Sequence, residues 1–190
     1  MTKRKVIVSL ALSADGFIAR KDGAVDWLDR PRTAGDYGMG KFVASIDTIV
    51  MGRKTYDVVL RFLREGKAIP RMPGVKHYVF SRKPRKKVLE GFEFVSEPIE
   101  QFVRRLRAQK GKNIWMMGGA GIIRSFLDAG AIDEFIIAVI PTFIGEGIPL
   151  IAPSRRTVPL KLLSVRKFSD GVVAFHYKVS KTGSSRRARK

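Results

Sequence analysis

The 190-residue chain contains no cysteine, which excludes disulfides, thiolate metal sites and cysteine nucleophiles. Histidine is nearly as scarce, and His77 and His176 leave little for a zinc site. No apolar run approaches the roughly 20 residues that a membrane-spanning helix needs. The opening Met1-Thr2-Lys3-Arg4-Lys5 is charged, but the residues after it alternate like a strand without a small-residue cleavage site, so no signal peptide is expected. These absences point to the cytoplasm. Two nucleotide signatures are missing as well: there is no Gly-x-x-x-x-Gly-Lys-Ser/Thr and no Gly-x-Gly-x-x-Gly. Acids are also short, 17 against 37 Lys and Arg, leaving a net charge of +20. Lys181, Arg186, Arg187, Arg189 and Lys190 account for five of those charges, so the body itself is basic. A basic body suits nucleic acid, an anionic membrane or a phosphorylated small ligand, and equally a solvated surface. Charge alone names no partner.

What is present is ordinary globular composition, 45% apolar and 28% charged, in a length that suits one well-buried domain. The most informative stretch runs from Trp115 to Leu127. Ile114 to Met117 reads as a buried strand, Gly118, Gly119 and Gly121 turn the chain, and Ile122, Ile123, Phe126 and Leu127 come next at helical spacing. Glycines let backbone approach a phosphate, and the unpaired N–H groups of a helix start favour negative charge. The same turn also serves as a plain tight βα connection. Other loops have to decide between the two.

Strand patterns fall at 5–12, 48–51, 77–80, 92–95, 134–140, 160–168 and 172–179, the last two joined by the hairpin signal Ser169-Asp170-Gly171. Helical spacing covers 34–45, weakened by Gly35, Gly38 and Gly40, then 55–63 and 97–109. Alternating strands and helices closed by a hairpin predict a single α/β domain over residues 1–180. It would be three-layered, with a mostly parallel central sheet and an antiparallel C-terminal hairpin. Residues 181–190 read as a basic, disordered tail.

A second strand-to-helix turn, Gly52-Arg53-Lys54-Thr55, and a hydroxyl-cation loop, Ser81-Arg82-Lys83, share the theme of the first. In a parallel sheet such turns gather at the carboxyl ends of the strands, where open α/β folds bind ligands. Three of them fit an extended ligand with several phosphates.

These residues carry a resemblance. Ser9 to Ala19 followed by Asp26-Trp27-Leu28, the run Asp47 to Tyr56, Val79-Phe80-Ser81-Arg82 and Met117 to Gly121 are similar, in order, to the dihydrofolate reductase superfamily. Asp133-Glu134-Phe135 and Pro141 to Leu150 resemble its RibD C-terminal domain-like branch, the reductase domain of riboflavin biosynthesis. The resemblance covers about 5–178. It implies a dihydrofolate-reductase-like fold and an NADPH-dependent reductase that passes hydride to a pyrimidine or pteridine, most like a ribosylaminopyrimidine 5′-phosphate. Ala11 and Ile18 would then lie near the nicotinamide. Gly52, Arg53, Lys54 and Thr55 would meet phosphates, Ser81 and Arg82 the 2′-phosphate end, and Gly118, Gly119, Ala120, Gly121 and Ile122 the pyrophosphate. Trp27 and Phe42 would line the substrate pocket, or serve as core.

Two acids compete for the proton-donor role. Asp36 is nearest to the folate-type helix position, although the usual Pro-x-Asp or Pro-x-Glu context is missing. Asp15 lies in the loop where riboflavin-type relatives keep an acid. Each also has a plain reading, as a helix-start acid and a turn aspartate. A true dihydrofolate reductase is the alternative function. Another is a non-catalytic nucleotide- or nucleic-acid-binding protein on the same scaffold. Against nucleic acid, no aromatics interleave the basic runs 82–87 and 104–112. The resemblance further implies a homodimer, while composition leads to the expectation of no metal and no membrane.

Overall fold

The computed structural model describes residues 3–31, 33–66, 72–83 and 88–180. The expected tail therefore lies outside the described residues, as do positions 84–87 of the basic loop. At the centre is β1 (Val6–Ser13), whose Val6, Ile7 and Val8 are all buried because sheet neighbours and helices cover both faces. It pairs in parallel with β6 (Asn113–Gly118) on one side and β7 (Glu134–Ile140) on the other. Beyond β6 come β3 (Ile46–Gly52), β4 (Lys76–Phe80) and β5 (Phe92–Val95), all parallel. Beyond β7 the antiparallel β10 (Val173–Val179) and β9 (Leu160–Lys167) complete the order β5-β4-β3-β6-β1-β7-β10-β9.

Helices cover the two faces. α3 (Ile99–Ala108) buries Phe102, Val103 and Leu106, and α4 (Ala120–Asp128) buries Ile123, Phe126 and Leu127, in one core with Val6, Val8, Ile114, Met116 and Phe135. The other face packs Tyr56 of α2 (Arg53–Arg64) and Phe42 of α1 (Met39–Ala44) against Ile7, Ile49, Met51 and Trp115. The expected three-layer α/β domain is the observed one. No helix among the described residues is long and apolar enough to cross a membrane.

Two local features differ from the periodicity. The helix expected over 34–45 shrinks to α1, because Gly35, Tyr37 and Gly38 take positive φ (87°, 55° and 88°), which no right-handed helix can accommodate. The Asp36 carboxylate caps the shortened helix, accepting Gly38 N and Gly40 N at 2.8 Å each. Residues 13–19, expected only as a break, contain β2 (Phe17–Ala19). It pairs with β8 (Ile148–Pro149) in a two-stranded ribbon too short to show any period. The Asp26–Leu28 turn of 3₁₀ helix then leads toward α1.

Candidate functional site

A cavity of about 2220 Å³ runs along the carboxyl ends of the parallel strands and over one face of the sheet beyond them. Single-ligand sites span roughly 300–1,000 Å³, so this volume accommodates two ligands side by side. Sheet order decides what lines it. The loops after β5, β4, β3 and β6 contribute Ser96 to Pro98, then Ser81 to Lys83, then Arg53 to Thr55, then Gly119 to Ile122. These are consecutive strands in space although not in sequence. At about 4.8 Å per strand, the four loops form a rim roughly 14 Å long.

The rim is suited to phosphate. α2 and α4 both start at glycine N-caps, Gly52 and Gly119, and neither receives a side-chain capping bond. A Cβ built on Gly52 would meet Ile122 Cγ2 at 3.3 Å, and one on Gly119 would meet Thr55 Oγ1 at 3.5 Å, so the two turns pack on each other. At Gly121, which faces the cavity, a Cβ has nothing within 4 Å. Gly118, joined to Gly119 by a cis peptide, has φ 110° and lies just behind the rim. Charge adds to the backbone: seven Lys and Arg line the cavity against four carboxylates. Arg53 is tied through Nε to Asp57 at 3.0 Å, and the Ser81 hydroxyl donates to Lys83 O at 2.8 Å, shaping its own loop.

Past the rim the cavity floor is the sheet. Ala11, Ala138 and Ala174 lie in register on β1, β7 and β10 and all line the cavity. Three alanines in one row leave a shallow trench where larger side chains would fill the space. Ser9, Ile136, Phe42, Tyr37 and Met39 border it. On its far side Tyr37 Oη donates to Asp170 Oδ2, and Arg30 Nη2 donates to Asp170 O at 2.8 Å, tying both residues to the β9–β10 turn. The Tyr37 hydrogen bond holds the Asp170 carboxyl below its ordinary range.

Most residues expected from the sequence come together here. Ala11, Ile18, Gly52, Arg53, Lys54, Thr55, Ser81, Arg82, Gly119, Ala120, Gly121 and Ile122 line this one cavity, as does Phe42. Trp27 is not in the wall: it is 7% exposed, in a cluster with Ile140 and Val172 behind the lining residues Leu28 and Tyr37. Its indole Nε1 and Arg30 Nη1 are buried donors without a partner among the described residues. Asp36 lines the cavity. Amides of Gly40 and Gly38 hold its carboxyl below the usual value. Asp15 is outside the lining, with Oδ1 taking the Ser13 hydroxyl and Oδ2 the amides of Ile144 and Gly145. Its carboxyl, too, is lowered, chiefly by the Ser13 hydroxyl. Sequence reading missed Ala138, Ala174 and Tyr37. For the alanines the available signal was a small residue inside an apolar strand; for Tyr37 the flanking glycines were the only hint.

Comparison with known proteins fits this geometry. Residues 4–174 match the RibD C-terminal domain family. The uncharacterized protein YwjB of Bacillus subtilis (strain 168) is 38% identical over 177 residues, 92% of this chain and 98% of the relative. A candidate riboflavin biosynthesis protein from Shewanella sp. PV-4 superposes with a TM-score of 0.79 at 28% identity, covering 93% of this chain and 99% of that one. The deaminase/5-amino-6-(5-phosphoribosylamino)uracil reductase of Thermotoga maritima superposes with a TM-score of 0.67 at 15% identity. That alignment covers 94% of this chain and 57% of the Thermotoga protein, and shows a shared fold.

Proposed function

Because the chain belongs to the RibD C-terminal domain family, we propose that it is a cytoplasmic, NADPH-dependent reductase that passes hydride to a pyrimidine- or pteridine-type substrate. The substrate it most suits is a ribosylaminopyrimidine 5′-phosphate. One observation carries the reading. The sheet order β4-β3-β6-β1 arranges the Ser81–Lys83 loop, the two glycine turns and the Ala11 position in a line, an order that suits the parts of an extended dinucleotide. NADPH would supply the hydride.

In this reading Ser81 and Arg82 hold the 2′-phosphate, Arg53, Lys54 and Thr55 neutralise the pyrophosphate, and the backbone of Gly119 to Ile122 lets it approach closely. Ala11 and Ile18 leave room for the nicotinamide over β1. The substrate ring lies beside it in the alanine trench, with Phe42 as a wall. Positioning two reactants this way supplies a large part of the rate. Of the four carboxylates in the cavity wall, Asp36 is the one next to Tyr37 and Gly38 at the alanine trench; ionised at neutral pH, it orients a water that delivers the proton rather than storing one itself. Asp15 supports the site from behind, pinning the 144–145 loop beside β8.

The apolar outer hairpin supports a homodimer. Leu160, Leu162 and Val165 of β9 are 43–49% exposed on an unpaired edge strand, beside the stacked Phe175 and Tyr177.

The test is nicotinamide fluorescence with NADPH and NADH at two salt concentrations. Tight binding with a clear NADPH preference is expected at both. Binding of neither cofactor, or affinity for any polyanion that collapses with salt, would move the protein to the binding-protein alternative.

A further inference from the structure

The two halves of the cavity are mounted on different parts of the fold. The phosphate rim is carried by β3, β6, α2 and α4, which anchor it in the two main clusters of the core. Arg30, Tyr37 and Gly38, in the wall of the alanine trench, are held against the outer hairpin instead. Tyr37 Oη donates to Asp170 Oδ2, and the Tyr37 ring meets the Phe168 ring edge-on, with centroids 5.1 Å apart. Arg30 Nη2 reaches Asp170 O at 2.8 Å and lies 3.7 Å from Asp170 Oδ2. A Cβ on Gly38 would stand 3.0 Å from Arg166 Nη1 of β9.

Tyr37 does not hold its place by backbone preference. Its φ of 55° is the one positive φ outside glycine among the described residues, and a bulky side chain adopts it only when the surroundings impose it. The bond to Asp170 and the edge contact with Phe168 supply that restraint. Asp170 is a firm anchor: its side chain is 5% exposed, and its Oδ1 accepts the Val172 amide at 3.4 Å. The turn that carries it is closed by Phe168 N donating to Val172 O at 2.9 Å. Since the carboxyl is ionised, the Tyr37 bond is charge-assisted and stronger than a neutral one. Behind Tyr37 and Leu28 lies the buried Trp27 indole, in the same apolar cluster. The position of the Tyr37 ring therefore decides both the shape of the trench and the shielding of Trp27.

Resting on the reductase reading for what occupies the trench, we infer that Asp170 is a positioning residue. Acting through Tyr37, it sets the trench wall and makes affinity for the planar-ring substrate depend on the outer hairpin. Asp170 itself does not line the cavity. Cofactor affinity is set at the rim and is independent of it. The hairpin is in this way a control element for one half of the site alone.

Asp170→Ala and Tyr37→Phe remove the bond from its two ends, while Asp170→Asn keeps an acceptor oxygen for the phenol. The readout that needs no ligand is hydrogen exchange of the Trp27 indole N–H by NMR, assigned with Trp27→Phe. Asp170→Ala and Tyr37→Phe are each expected to speed that exchange at least about tenfold, the low end for a hydrogen bond to a charged group. The double variant should go no further, because both changes break one interaction. Asp170→Asn should recover part of the protection. With NADPH and the ribosylaminopyrimidine 5′-phosphate, the same two variants should raise the substrate KM by a similar factor, with the Kd for NADPH within about twofold of the unaltered protein. Unchanged indole exchange in both variants overturns the inference, as do additive effects, an unchanged substrate KM, or a Kd for NADPH that rises in step with KM. Failure of the reductase reading looks different: the unaltered protein oxidises no NADPH, yet exchange at Trp27 still reports whether Asp170 holds the wall.

Discussion

Arg53 is the cation whose removal tests the phosphate rim most directly. It is the first residue of α2, at the turn after β3, and its Nε is held by Asp57 at 3.0 Å in an i,i+4 pair with both partners about one-third exposed or more. A charge-assisted hydrogen bond to a phosphate contributes about 1.5–3 kcal/mol. Sharing the guanidinium between Asp57 and the cofactor gives back part of that, since an exposed helix pair is worth about 0.3–0.5 kcal/mol. Arg53→Ala should therefore weaken NADPH binding by about 1–2.5 kcal/mol, or roughly 5- to 70-fold in Kd. Asp57→Asn should tighten it by only about twofold, because the competing pair is weak. Sheet order adds a sharper condition. Arg53 stands one strand inside Ser81 and Arg82, which is the proposed pyrophosphate position, so its loss should weaken NADH and NADPH by the same factor. Loss of Arg82 should affect NADPH alone. Nicotinamide fluorescence titrations of both variants with both cofactors read this out. Unchanged affinity in Arg53→Ala, or a loss confined to NADPH, refutes the placement.

Other parts of the molecule give four further expected outcomes. A Cβ at Gly147 would overlap the Ala19 carbonyl oxygen and stand 3.1 Å from Phe17 Cβ. Gly147→Ala should thus cost about 1–3 kcal/mol by overpacking the β2–β8 ribbon, seen as a lower thermal midpoint. Asp15, Asp36 and Asp170 all titrate below the 3.8 of a free aspartate, so their stabilisation is present above that value and disappears as pH falls through the folded pKa values. Burial lowers His77 from 6.5, which removes a smaller share as pH falls below 6.5. Thermal midpoints should dip slightly below pH 6.5 and fall steeply below about pH 4; a midpoint that rises on acidification contradicts both signs. Leu162→Glu with Val165→Glu should leave a monomer by light scattering where the unaltered chain is a dimer, and a monomeric unaltered chain ends the edge-strand proposal. Asp36→Asn should lower turnover by about 10²-fold or more, as loss of a positioned proton relay does, with NADPH affinity within about twofold. Equal turnover moves the proton path to bulk water.

The legible parts of the fold were those whose pattern is set by burial on a known number of faces. β1, β6 and β7 are covered on both faces, so their sequences are nearly unbroken apolar runs. α3 and α4 each bury one stripe. The 34–45 segment was less legible because its conformation depends on single residues rather than on a period. Tyr37 sits at φ 55°, a backbone position that glycine or asparagine usually takes, and the Asp36 side chain competes with helical hydrogen bonding by capping at Gly38. The β2–β8 ribbon holds five residues in all, and Pro149 is one of them. No alternation can be read from so few.

The candidate site divides along the same line. Its proposed cofactor half is built from loop backbone, which advertises itself through glycines, hydroxyls and cations at strand ends; sequence alone therefore singles out Gly52 to Thr55, Ser81 to Arg82 and Gly119 to Ile122, which line one cavity. Its proposed substrate half is built from small side chains on three strands and from cross-strand register, and register is fixed only by the assembled sheet. Ala11 and Ala174 lie 163 positions apart in the chain, yet one strand, β7, separates them in space. Trp27 shows the converse. An aromatic beside a site motif invites a place in the wall, but its ring packs on Ile140 and Val172 while Tyr37 and Leu28 occupy the surface it was expected to form. The glycines that shorten α1 turn Tyr37 toward Asp170, whose carbonyl Arg30 also reaches, so Tyr37 borders the far side of the trench. In the proposed reading substrate choice thus rests on Tyr37, Phe42 and the alanine row of β1, β7 and β10, which share no motif with the phosphate rim and can vary without disturbing it.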